Sequence, residues 1–149
     1  MTAITERDMQ SLVGHEFPGG TYRLHRWENA MLCHSMCAEP DPAGGANLLF
    51  LTYAAIAGLG VRLGDLLELL RVEPEHGVQN GESRIEIVQS LRVETEYRMS
   101  GRITSIERKE SRTRGVMDVV TIRTEAREQD VLAAVMTMTL LVYRGRGQA

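Results

Sequence analysis

The stretch Asn47-Leu-Leu-Phe-Leu-Thr-Tyr-Ala-Ala-Ile-Ala-Gly-Leu59 decides the fold. Its apolar residues, Leu48, Leu49, Phe50, Leu51, Tyr53, Ala54, Ala55, Ile56 and Ala57, leave a helix almost no polar stripe. A helix lying on a surface keeps such a stripe for water, so one that is apolar all round sits inside something. Asn47 suits an N-cap, where its side chain can accept a first-turn N–H. The expectation is a central helix from Leu48 to about Leu59, with the rest of the chain built around it.

The residues after it supply the wrapping. Asp65 followed by Glu68 reads as a capping box for a second helix ending at Leu70. A loop from Glu73 to Gly81 leads into a strand from Ser83 to Thr95. Tyr97 to Glu107 is the next strand, with Gly101 suited to a bulge or bend. A polar hairpin tip, Arg108 to Arg114, precedes Val116 to Ala126, which alternates at Val120, Ile122 and Thr124. A tight turn, Arg127 to Asp130, then starts the longest strand, Val131 to Tyr143. Long strands with such short connections form an antiparallel meander.

Upstream, Thr5 to Val13 reads as a short helix with Met9, Leu12 and Val13 on one face, and Thr21 to His25 as a first strand. Trp27 to Ala38 reads as a second helix, followed by a loop rich in Pro and Gly. The class is α+β: an antiparallel sheet wrapped around a central apolar helix. Residues 1–149 read as one domain, with 144–149 a frayed C-terminal tail.

Composition narrows the function. Hydrophobic residues at 43% and charged residues at 25% fit a globular chain. A net charge of −3 lacks the basic excess of a nucleic-acid binder. Two cysteines are too few for a disulfide framework and read as cytosolic thiols. Met1 to Asp8 has no apolar signal core, and Arg62, Asp65 and Glu68 interrupt the apolar run from Leu48 to Leu70. The expectation is a cytoplasmic protein with neither a nucleic acid nor a membrane as partner.

Three strings, taken in order, resemble a known family. They are Leu12-Val-Gly-His-Glu-Phe-Pro18 with Tyr22, then Gly81-Glu-Ser-Arg-Ile-Glu-Ile-Val-Gln-Ser-Leu-Arg-Val93, then Ser100-Gly-Arg-Ile103. The chain resembles the MaoC-like dehydratases, which have the hot dog fold, and within them the N-terminal dehydratase-type module. The resemblance implies action on acyl thioesters of CoA or acyl carrier protein, as in (R)-specific enoyl hydratases and hydroxyacyl carrier-protein dehydratases, with no further cofactor.

Catalytic members of that family carry an Asp, four residues and then a His, before the central helix. The pair positions a water or exchanges its proton beside the conjugated thioester. Here the loop reads Cys37-Ala-Glu-Pro-Asp-Pro-Ala-Gly-Gly-Ala-Asn-Leu48. Five positions after Glu39 stands Gly44, and five after Asp41 stands Ala46. No histidine lies between His34 and His76. The departure resembles the noncatalytic, substrate-accommodating subunits of heterodimeric dehydratases. Two alternatives stay open: an active hydratase or thioesterase using Glu39 or Asp41, and a ligand-binding or scaffold protein.

The candidate residues follow. Glu39 and Asp41 are either a solvated loop or carboxylates with a raised pKa at an apolar mouth. Asn47, Leu48 and Leu49 would hold a thioester carbonyl, because a helix N-terminus favours developing negative charge. Arg102, Arg108, Lys109, Arg112 and Arg114 are either a solvated basic hairpin or contacts for CoA or carrier phosphates. Cys33, His34 and Cys37 do not share one helix face, so no metal is expected. His15, His25 and His76 read as structural or exposed. Met99, Met117, Met136 and Met138 read as core. The strand after Gly81 leaves an open sheet edge, which predicts a homodimer or a heterodimer with a catalytic relative.

Overall fold

A computed structural model describes residues 4–145. Four helices, α1 (Glu6–Gln10), α2 (Arg26–Ser35), α3 (Phe50–Ala57) and α4 (Leu63–Leu69), accompany five strands. The strands are β1 (Gly20–Arg23), β2 (Val78–Ile87), β3 (Glu96–Ser111), β4 (Gly115–Glu128) and β5 (Val131–Tyr143). They form one antiparallel sheet in the order β1-β3-β4-β5-β2. The α+β expectation of a sheet around a central helix is what the chain forms.

Alternation puts one face of the sheet against α3. In β4, Asp118, Val120, Ile122, Thr124 and Ala126 are buried, with intervening residues only partly covered. In β3 the buried set is Tyr97, Met99, Gly101 and Ile103, then Ile106. That change of parity marks a bulge, since the register shifts between Ile103 and Ser105. The bulge thus lies beyond Gly101. Gly101 has another reason: a Cβ there would stand 2.3 Å from Leu59 Cδ2. Gly58 is equally constrained, its Cβ falling 2.4 Å from Met99 Cγ. The two glycines let the end of α3 lie directly on β3. Met99, Met136 and Met138 are core residues, while Met117 is only half-buried.

Several expectations are corrected. The central helix is shorter than Leu48 to Leu59 and is not buried on every side. Phe50, Leu51, Ala54 and Ala55 face the sheet, but Tyr53 is 66% exposed, and Leu48, Leu49 and Ala57 are exposed too. In α2 the buried residues are Asn29 and Cys33, while Trp27 and Met31 point to solvent. The cap of α4 is Arg62, and Asp65 is the residue that reaches back to it with both carboxylate oxygens. The strand expected from Ser83 to Thr95 begins at Val78, ends at Ile87, and pairs with β5. It is therefore an outer strand and no part of the meander.

The expected frayed tail does not begin at Arg144. Its guanidinium donates to Asp118 Oδ2 at 2.7 Å and to the carbonyls of Leu70 and Arg71. Residues 146–149 of that expected tail lie outside the described residues. Among the described residues, no helix is long and apolar enough to cross a membrane.

Candidate functional site

The loop from Pro40 to Asn47 is tied to the segment Leu91 to Val93. Ala46 N–H donates to Leu91 O, and Val93 N–H donates to Gly44 O. Asp41 ties the loop internally, because its two carboxylate oxygens accept the N–H groups of Ala43 and Gly45 at 2.9 and 3.1 Å. A Cβ on Gly45 would meet the Asp41 carboxylate and push it off the N–H groups it accepts. Asp41 is a loop-building residue here. Glu39 is exposed, with no hydrogen bond or ion pair found among the described residues.

Asn47 stands where α2 and α3 meet. Its N–H donates to Asn29 Oδ1 at 2.8 Å, and its Nδ2 lies 3.6 Å from Cys33 Sγ. Asn29 and Cys33 are four apart on α2, so one helix face grips Asn47. Asn47 Oδ1 accepts Leu49 N–H at 3.0 Å. The cap thus acts three residues before the first residue of α3, through a tight turn in which Phe50, Leu51 and Thr52 donate to the carbonyls three residues back. This corrects the expected oxyanion site. Leu49 N–H is already engaged, and Leu48 N–H is the one of the three with no partner among the described residues.

The outer side of α3 is flanked by two apolar grooves. One, of about 300 Å³, lies between α2, β1 and α3 and is walled by Tyr22, Leu24, Trp27, Met31, Phe50 and Tyr53. The other, of about 350 Å³, lies toward α4 beside Ile56, Val61 and Leu63. Tyr53 is the ridge between them. Burial, and then the nearby Glu28 carboxylate, raises the Tyr22 pKa, so this phenol is neutral at ordinary pH. No histidine lines either groove. His15 packs edge-on against Phe17, His25 pairs with Glu94, His34 is exposed on α2, and His76 lies 2.7 Å from Glu73. Among the described residues, no three His, Cys, Asp or Glu side chains cluster as metal ligands.

The basic residues do not form the expected patch. Arg108 shares a face with the fully buried Asp118 and donates to both of its carboxylate oxygens, at 2.8 and 3.0 Å. It also donates to Ile4 O, so it is not available to a phosphate. Arg102 lies on β3 and Arg112 in the turn after it, with nine strand residues, about 30 Å at the usual strand rise, between Arg102 and the strand's end. Lys109 lies beside Glu107, Arg114 stacks over the Tyr143 ring, and Arg112 is exposed. Arg102, Arg108 and Lys109 are divided between the two faces of β3, and Arg112 and Arg114 lie in the turn beyond it.

Comparison with solved structures places this architecture. The ChsH1-ChsH2 complex from Mycobacterium tuberculosis matches with a TM-score of 0.71 over 95% of this chain and 90% of that chain, at 13% identity. The chain has the hot dog fold. The C-terminally truncated HadBC complex, a 3R-hydroxyacyl-ACP dehydratase also from Mycobacterium tuberculosis, shares this hot dog fold at a TM-score of 0.69. Its identity is 14%, over 87% of this chain and 96% of that chain. A MaoC-like dehydratase from Rhodospirillum rubrum gives 0.62 and 14% identity, over 95% of this chain and 98% of that chain. No family model matches the sequence, and no curated protein matches it by sequence.

Sequence reasoning missed Asn29. The signal was a polar residue one turn before Cys33 on an otherwise apolar helix face, where burial demands a hydrogen-bond partner.

Proposed function

We propose that this hot dog chain is a noncatalytic subunit of the MaoC-like dehydratase type, working in the cytosol. It binds an acyl thioester, of CoA or of acyl carrier protein, at the turn that starts α3. The observation that carries the reading is the contrast within one loop. The turn at Asn47 is fixed by Asn29 and Cys33 and leaves Leu48 N–H unengaged, while Asp41 is committed to loop amides and no histidine lines the grooves. A single backbone donor can hold a carbonyl oxygen, but hydration also needs a group to exchange a proton with water.

Pairing belongs to the same reading. β2 is the outer strand of the sheet and is exposed along most of its length, with Ile87 and Val88 also exposed beside it. Unpaired strand edges recruit partners. The partner proposed is a second copy or a catalytic relative bearing the missing Asp and His. Two of the solved structures that share the fold are themselves complexes, ChsH1-ChsH2 and HadBC.

The purified chain alone is expected to hydrate crotonyl-CoA no faster than buffer, followed by loss of the enoyl absorbance. Turnover that disappears in Glu39→Gln or Asp41→Asn would replace this reading with an active hydratase. The Asp41 variant needs a melting curve beside it, because Asp41 also holds the loop.

A further inference from the structure

The groove between α2, β1 and α3 gathers four of the seven aromatic residues in the chain, Tyr22, Trp27, Phe50 and Tyr53. The Tyr22 and Phe50 rings stack at 6.0 Å with an interplanar angle of 9°. Trp27 is 63% exposed and Tyr53 is 66% exposed, so two further rings stand open to solvent. Glu28 is the one charged side chain among the lining residues.

One Glu28 oxygen accepts the His25 N–H at 2.9 Å and so caps α2. The other has neither a hydrogen bond nor a cation beside it among the described residues. The Tyr22 and Tyr53 hydroxyls and the Trp27 indole N–H also have no partner among the described residues. Burial, then the Glu28 carboxylate, then the Tyr53 phenol raise the Tyr22 pKa, so these oxygens lie near one another.

That combination selects the charge of an occupant. An anion finds no cation in the groove and meets the negative faces of the rings. A neutral apolar group would strip water from the Glu28 carboxylate and offer it nothing in return, which is costly. A cation is drawn by the carboxylate and by the ring faces together. A primary ammonium is strongly hydrated and brings three donors that need acceptors. A trimethylammonium group has no N–H, and its methyl groups carry the charge to a surface that rings and the polarizable Met31 thioether can touch. The volume, about 300 Å³, is at the lower end for small-molecule sites and suits a compact ligand.

We propose that this groove binds a small quaternary ammonium ligand of the choline type, its trimethylammonium head among Tyr22, Trp27, Phe50 and Tyr53 and beside Glu28. The site does not depend on the thioester reading.

The test is a calorimetric titration of the full chain with choline chloride at constant ionic strength. Trp27, the only tryptophan in the chain, reports entry through its emission. Choline is expected to bind and to change the indole emission. Ethanolamine, which has the primary ammonium, and 3,3-dimethylbutan-1-ol, which has the shape of choline without its charge, are each expected to bind at least about tenfold more weakly. Trp27→Ala removes an exposed ring, and Glu28→Gln removes the charge while keeping an oxygen for the cap. Each is expected to weaken choline about tenfold. Glu110→Gln removes the same charge from an exposed position thirteen residues along β3 from Tyr97, the partner of Tyr22. It is expected to leave choline binding unchanged. Equal binding of the uncharged alcohol would overturn the inference, as would equal or tighter binding of ethanolamine. An equal loss in Glu110→Gln and Glu28→Gln, or no choline binding at all, would do the same. The ligand comparison uses the parent chain, so it decides the matter even if a variant fails to fold.

Discussion

Replacing Asp118 with alanine is expected to destabilise the folded chain by roughly 3–5 kcal/mol, the usual cost of removing one partner from a buried ion pair. Asp118 has no exposed surface and holds two arginines, Arg108 from β3 and Arg144 from just beyond β5. These arginines also tie distant segments. Arg108 reaches Ile4 O before α1, and Arg144 reaches Leu70 O and Arg71 O after α4. Without the carboxylate, two cations face one another with nothing between them. Total stability of an ordinary domain is about 5–15 kcal/mol, so the variant is expected to melt far below the parent or not fold. Asp118→Asn keeps the shape and two acceptor lone pairs but loses the charge, and it is expected to fall between the two.

The same carboxylate sets an acid limit. Burial alone would raise its pKa, but hydrogen bonds from Arg108 and Arg144 outweigh burial and hold it below the usual carboxylate value. A group with a depressed folded pKa contributes fully above its unfolded pKa, about 3.9 for Asp. The contribution is lost progressively as pH falls from there through the lower folded value. Denaturant unfolding between neutral pH and pH about 3 is expected to show stability falling in that window, less steeply in Asp118→Asn. Equal slopes in the two proteins would remove Asp118 from this role.

Ala55→Glu is expected to abolish folding. Ala55 is 1% exposed, on the face of α3 that lies against the sheet beside Ala54 and Leu51. A carboxylate there has neither space nor a partner, and an unpaired buried charge costs several kcal/mol. Ala57→Glu, two residues on, faces outward and is expected to change stability by no more than about 0.5 kcal/mol. Circular dichroism melts of the pair test which side of α3 is covered. Similar melting of both variants would contradict the placement of the helix.

The element order and the antiparallel meander were legible because hydrophobic period and turn residues are local signals. The strand parity of β4 and the end of β5 could be read almost residue by residue. The depth of α3 could not. Apolar content shows that a helix avoids water, but not whether its own chain, a ligand or a partner covers the outer side. Tyr53, Leu48 and Leu49 are apolar and exposed for that reason. The position of β2 was hidden too, because pairing with β5 across the sheet is a long-range choice that a strand pattern does not record.

At the site, Asn47 was legible as a capping residue, and the lack of a histidine in its loop was plain. Its partners Asn29 and Cys33 were not, because they lie 18 and 14 residues away and meet it only once α2 packs against the turn. Arg108 read as one of a basic cluster. Its partner Asp118 is the cross-strand neighbour in the β3–β4 register, which puts both side chains on the inner face. Charge counted along the sequence cannot distinguish a phosphate contact from half of a buried ion pair.

In the proposed function the chain binds an acyl thioester without transforming it, as part of a pair. Native mass spectrometry of the purified chain incubated with crotonyl-CoA tests this in one measurement. The chain is expected to carry crotonyl-CoA at its unaltered mass, as a dimer if its partner is a second copy. A chain free of ligand at every thioester concentration, or a ligand heavier by one water, is the opposite result.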